Sequence, residues 1–158
     1  MCVLETLSHK LSVQSASMQA GSKGKPEITA CDLAGMLAGL DRGPVSLAYA
    51  KLVADEGAAR MVYAILHRTV AEWALIEEWK VPRGSERLGN LAKMVRDDLV
   101  LTRPMLSGRS AAKWIGVSEK AWRNTWKDRH GRLLDIGLAW ECDLRRKLKR
   151  EIYGSDDQ

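Results

Sequence analysis

Apolar residues in this chain return at helical intervals and nowhere alternate with period two for long, so the chain is read as all-α. The clearest stripe is Val62, Ile65, Leu66, Thr69, Trp73, Ile76 and Trp79, opposite Arg60, Arg68 and Glu78. It predicts an amphipathic helix over about Ala58–Lys80, with Trp73 and Trp79 as core aromatics rather than a binding platform. Ahead of it, Leu33, Met36, Leu37 and Leu40 predict a helix opened by Thr29, with Asp32 three residues on as a short-armed capping box. Asp41-Arg-Gly-Pro44 reads as a turn that sets Pro44 at the first position of the next helix, which runs to about Ala54 and ends near Gly57. Val81-Pro-Arg-Gly84 breaks the chain, and Ser85 is placed to cap a helix over about Glu86–Leu99 with Leu88, Leu91, Ala92 and Val95 inward. A long last helix, about Arg132–Tyr153, takes its apolar positions from Leu133, Ile136, Leu138, Trp140, Leu144 and Leu148.

Between the last two stands Arg109-Ser-Ala-Ala-Lys-Trp-Ile-Gly-Val-Ser-Glu-Lys-Ala-Trp-Arg-Asn-Thr-Trp-Lys127, which has the pattern of a helix-turn-helix. Ala112 is small where two helices would cross closely. Gly116 falls where the first helix ends, a place that favours left-handed backbone and therefore glycine. Val117 plugs the turn, Ser118 N-caps the second helix, and Trp122 faces Ala112 and Ile115. Glu119, Lys120, Arg123, Asn124 and Lys127 are left pointing outward. In such a motif the start of the second helix enters the major groove, where Arg123 and Asn124 are suited to guanine and adenine edges. The same stretch also fits an ordinary helical hairpin whose charges face water.

The charge is unevenly spread. The chain has 158 residues, 46% of them apolar, enough for one domain with a core or two small helical units. Its net charge is +5, but residues 107–150 hold twelve Lys/Arg against five Asp/Glu, which leaves the remainder slightly acidic. The basic segment is the one with the helix-turn-helix, where a surface for duplex DNA is expected. The run Arg145-Arg-Lys-Leu-Lys-Arg150 reads equally well as a solvated face or as a phosphate contact. Cys2, Cys31 and Cys142 form no Cys-x-x-Cys pair and no metal spacing with His9, His67 or His130, so no metal or other cofactor is expected. His67 and His130 read as surface or boundary side chains, and Glu77-Glu78 and Asp97-Asp98 as solvated helix faces. No apolar run approaches membrane-spanning length and no secretory start is present, which predicts a soluble intracellular protein. The organisation expected is a Ser- and Gly-rich flexible arm at 1–26, a helical region at 27–99, and a helix-turn-helix with the C-terminal helix at 100–158.

With these elements placed, the chain resembles the lambda-type bacteriophage late-gene antitermination protein Q family. The likeness rests on Leu4-Glu-Thr-Leu7 and Ile28-Thr-Ala-Cys-Asp-Leu-Ala-Gly-Met36, on the small-residue helix Gly43–Lys51, and most specifically on Ser110–Lys127. It implies a factor of the host bacterial cytoplasm that binds duplex DNA beside a late promoter and engages paused host RNA polymerase. That factor displaces sigma-factor contacts at the polymerase flap region and, helped by NusA, carries the enzyme through terminators. On this chain, Lys120, Arg123, Asn124 and Lys127 would make base and phosphate contacts, with Lys113 and Arg129 as flanking phosphate contacts. The helices of 27–99 would face polymerase. One departure stands out: many members carry a Cys-x-x-Cys zinc insertion before the helix-turn-helix, and here Leu99–Ser107 holds neither cysteine nor histidine.

Other classes remain open on the residues alone. A repressor or activator that stays at an operator would use the same helix-turn-helix, with the Trp/Leu stripe of the last helix offering a dimer surface. A structural module with no DNA role is a further reading. An enzyme is the least supported, because no phosphate loop, nucleophile–base pair or metal constellation is legible.

Overall fold

The computed structural model describes residues 30–82, 84–101 and 106–154, and the regular elements among them are all helical. They are α1 (Ala30–Met36), α2 (Arg42–Leu52), α3 (Glu56–Ile76), α4 (Arg87–Val100), α5 (Gly108–Ile115) and α6 (Glu119–Ala121), then a π-helical turn (Trp122–Trp126) and α7 (Lys127–Tyr153). The protein is all-α, with an N-terminal helical region, a helix-turn-helix and a long C-terminal helix. The arm at 1–26 and the capping residue Thr29 lie outside the described residues.

Several boundaries differ from the sequence expectation, each for a local reason. The helix expected to begin at Pro44 begins at Arg42, so Pro44 sits inside the first turn, where its missing N–H leaves no bond unmade. That helix ends at Leu52, because Ala54 adopts a left-handed conformation (φ 56°) and turns the chain before Gly57 is reached. Asp55 then caps α3 by accepting from the Ala58 N–H at 3.1 Å, which puts Gly57 in the first turn of α3. At the other end α3 stops at Ile76 rather than Lys80. Glu78 is left-handed (φ 51°) and folds the chain back, so the Trp79 N–H donates to the Ala74 carbonyl at 2.9 Å. Ile76, expected on the buried stripe, is 79% exposed, whereas Trp79 is half-buried by the reversal. Ser85 does not cap α4: Glu86 holds that position without a side-chain bond, and the Ser85 hydroxyl is buried without a hydrogen-bond partner.

The largest correction concerns the end of the chain. No break separates the helix-turn-helix from the C-terminal helix; α6, the π turn and α7 run on as one rod from 119 to 153. Its rear packs against α2 and α4, and a single buried cluster joins Leu47 of α2, Leu66 of α3 and Leu91 of α4 to Leu133, Leu144 and Leu148. Two glycines permit the close approach: a Cβ at Gly43 would strike the Trp140 indole, and one at Gly137 would overlap Leu99. The buried line on α7 is Leu133, Gly137, Leu144 and Leu148. Leu138, expected to face inward, lies one residue off that line and is half exposed.

Candidate nucleic-acid interface

The rod carries its functional candidates at the front, where the helix-turn-helix landmarks form as local chemistry dictates. Ser107 caps α5 by accepting from the Ser110 N–H at 3.3 Å. Gly116 is left-handed (φ 78°), and the Gly116 and Val117 N–H groups both donate to the Ala112 carbonyl at 3.0 Å, closing the turn. Ser118 accepts from the Ala121 N–H at 3.2 Å and starts α6. Ala111, Ala112, Ile115, Trp122 and Trp126 are buried where the two helices meet, with Val117 half-buried over the turn. The Trp114 indole N–H donates to the Asn90 carbonyl at 3.2 Å and ties α5 to α4.

The π turn explains how one rod serves both the motif and the core. In an unbroken α-helix, residues eight apart are rotated by about 80°, so Trp122 would drift off the line that buries His130. Here the Lys127 N–H reaches back five residues to the Trp122 carbonyl, and the widened turn returns Trp122 to that line. The Trp122 and His130 rings lie 5.8 Å apart. His130, expected at the surface, is buried, and its Nε2 sits 2.9 Å from an Asp98 oxygen. Neither Asp97 nor Asp98 is a solvated carboxylate: Asp97 is buried against Arg96, and the Asp98 side chain is 8% exposed. A polar pair thus anchors the root of the second helix to α4.

A second anchor comes from the reversal after α3. Glu77 takes a bidentate pair from Arg132, at 2.7 and 3.1 Å, and accepts from the Trp79 indole at 2.8 Å. The Arg132 and Trp79 hydrogen bonds, in that order, hold the Glu77 carboxyl at about 2, against an ordinary 4.5. Arg132 also stacks on Trp73 at 4.6 Å, and Trp79 meets Trp126 edge-on at 6.3 Å. Glu77 is therefore not the free surface carboxylate that its place in the sequence suggests. Its charged partner, Arg132, is 55 residues away, and no signal in the sequence links the two.

The front face itself is open. Lys113, Glu119, Lys120, Arg123, Asn124 and Lys127 are all exposed, and the last five share one side of the second helix. Glu119 is occupied by Arg109 at 2.9 Å. Among the described residues, Lys120, Arg123 and Lys127 have no acidic partner, so their charge is directed at solvent. Arg129 is set apart from the others. Its guanidinium lies 3.8 Å over Trp79 and 4.9 Å from Trp126, and burial pushes its pKa down, although an arginine stays cationic.

Among the described residues, no group of three or more His, Cys, Asp or Glu is placed to hold a metal, and Cys31 and Cys142 are exposed free thiols. No described helix is long and apolar enough to cross a membrane. No protein-family model, curated protein or solved structure matches the chain.

Proposed function

We propose that this protein is a duplex-DNA-binding regulator that reads its site with residues 119–127. We further propose, from its resemblance to the lambda-type Q family, that it is a transcription antitermination factor. The observation that carries the first part is the row of exposed, unpaired cations with Asn124 on a helix started by a left-handed glycine turn. Arg123 and Asn124 are the base-reading residues, because their side chains match guanine and adenine edges in the major groove. Lys113, Lys120 and Lys127 are phosphate contacts. Arg129 supports the helix through its indole contacts and is the member of the set least free to reach a phosphate.

The second part assigns the protein to the host bacterial cytoplasm. There it binds beside a late promoter, engages paused RNA polymerase through the flap and sigma-factor region, and with NusA makes the enzyme pass terminators. α1 to α4 are the polymerase-facing part in this scheme, and the front of the rod is the DNA-facing part.

Transcription across a terminator tests the proposal, on a template with the late promoter region, a paused complex and NusA. Read-through that rises with the full-length protein is the expected result. Unchanged termination with intact site-specific DNA binding would make it a stationary repressor or activator. Absence of duplex binding altogether would overturn both.

A further inference from the structure

The front of the rod borders a cleft of about 560 Å³ whose two walls come from different parts of the chain. One wall is the helix-turn-helix, with Ser118, Ala121 and Thr125; the other is the reversal and the start of α4, with Glu78, Lys80 and Arg87. Trp126 and the Trp79–Arg129 stack also line it. Ala121 and Thr125 lie beside the Asn124 edge of the proposed reading side and away from Arg123, so a duplex seated on that side meets this opening along the Asn124 edge.

The cations of the far wall differ from the other described arginines of α3 and α4. Elsewhere, α3 and α4 neutralise their arginines locally: Arg60 pairs with Glu56, Arg68 with Glu72 and Arg96 with Asp97. Among the described residues, Lys80 and Arg87 have no acidic partner. Of the two carboxylates at the cleft, Glu77 is held by Arg132 and Trp79, which leaves Glu78 as the uncompensated negative charge. The balance favours an anion, and an open cleft beside the proposed reading helix suits a backbone that continues past it rather than an enclosed small ion.

We infer that the DNA interface extends beyond the helix-turn-helix, with one phosphate backbone of the duplex laid along this cleft against Lys80 and Arg87. The inference rests on the DNA-binding reading above and gives α3–α4 residues a share in DNA binding. It also places the clamp of Glu77, Trp79 and Arg129 between the two parts of the interface, where it fixes their spacing.

The test measures binding of full-length protein to a short random-sequence duplex over a series of salt concentrations. For Lys80→Gln with Arg87→Gln, the slope of log affinity against log salt should become shallower by about 0.9 for each charge removed. Lys80→Arg with Arg87→Lys should keep the parent slope. Glu78→Gln should act in the opposite direction and tighten binding, which a merely structural role for the segment does not predict. Arg60→Gln with Arg68→Gln serves as a remote control and should leave the slope unchanged, and helical circular dichroism checks that each variant folds. If the parent protein binds duplex and Lys120→Gln with Arg123→Gln weakens it, while the Lys80, Arg87 and Glu78 variants bind like the parent, this inference alone is overturned. If the parent does not bind duplex, the DNA-binding reading falls and this inference falls with it.

Discussion

The two ends of the rod from 119 to 153 are both rich in basic residues, yet they differ in what those residues do. At the rear each cation of Arg145-Arg146-Lys147 has an acid in reach: Glu141 at 2.9 Å, Asp143 at 3.5 Å and Glu151 at 2.8 Å. Glu141 also takes Lys51 of α2 at 3.2 Å. Burial works to raise the Glu141 pKa, but the Arg145 and Lys51 contacts outweigh it and bring the carboxyl below its usual range. At the front Glu119 is engaged by Arg109, and among the described residues Lys120, Arg123 and Lys127 form no ion pair, Asp128 lying instead toward Arg129 and Arg132. Basic density alone does not define a phosphate surface. The ends differ in degree. Three of the five cations in Arg145–Arg150 have a counter-charge on their own helix, while among the described residues Lys149 and Arg150 have none. Lys120, Arg123 and Lys127 at the front all lack one, which supports the proposal that the front faces an external anion.

The comparison breaks most sharply if the front loses its footing. Trp122 is buried at the crossing of the two helices, so Trp122→Ala should destabilise the protein by about 3–5 kcal/mol in chemical denaturation. A loss below 1 kcal/mol, roughly the scale of a surface change, would mean that the second helix does not depend on this contact. Next in size are the proposed base readers. Arg123→Ala and Asn124→Ala should each cost about 1–3 kcal/mol of affinity for the specific site and little on random duplex, while Arg145→Ala leaves specific binding as it was. A competition assay against random duplex measures this, and equal losses at the two ends would erase the distinction. Gly116→Ala should cost about 1–2 kcal/mol of stability, from backbone conformation, since beyond its chain neighbours nothing lies within 4 Å of the added Cβ.

The smallest effect concerns the clamp behind the front. The Glu77 carboxyl is lowered on folding from 4.5 to about 2, so its contribution is present above the unfolded value and is lost as pH falls from 4.5 towards 2. Glu77→Gln should therefore flatten the acid limb of Tm against pH and leave its slope near neutrality unchanged. An acid limb identical to the parent's would show that the Arg132 pair contributes nothing to stability.

Local chemistry explains which parts of this arrangement were legible beforehand. Gly116, Ser118 and Trp122 act within a few residues of themselves, through a left-handed turn, a cap and a four-residue step, so the sequence pattern is nearly the structure. The all-α class followed from periodicity for the same reason. The continuity of the rod was not legible, because Asp128 and Gly131 are weak helix formers that suggest a break. A glycine within a helix costs only about 1 kcal/mol, less than the roughly 1.5–3 kcal/mol that full burial of Leu133 returns. The burial of His130 needs Asp98, and the paired state of Glu77 needs Arg132, both distant in the chain. Ile76 misled the stripe because the helix outruns the core and the left-handed Glu78 brings Trp79 back in its place. The neutralised cations at the rear pair with acids three or four residues away on the same helix, a spacing the sequence contains. The Lys51–Glu141, Arg109–Glu119 and Arg132–Glu77 pairs cross the fold and are not legible in it.

The most direct test of the central claim removes the same charge from each end of the rod. Lys120→Gln, Arg123→Gln and Lys127→Gln together make the front variant; Arg145→Gln, Arg146→Gln and Lys147→Gln together make the rear variant. Both change the net charge equally, so any long-range field effect is shared, and the salt dependence of duplex binding reports only the direct phosphate contacts. The front variant should lose roughly 0.9 of slope for each cation that touches a phosphate, and the rear variant should keep the parent slope. Equal slopes for the two variants, or a larger loss at the rear, would contradict the assignment of the front of the rod as the DNA-binding surface.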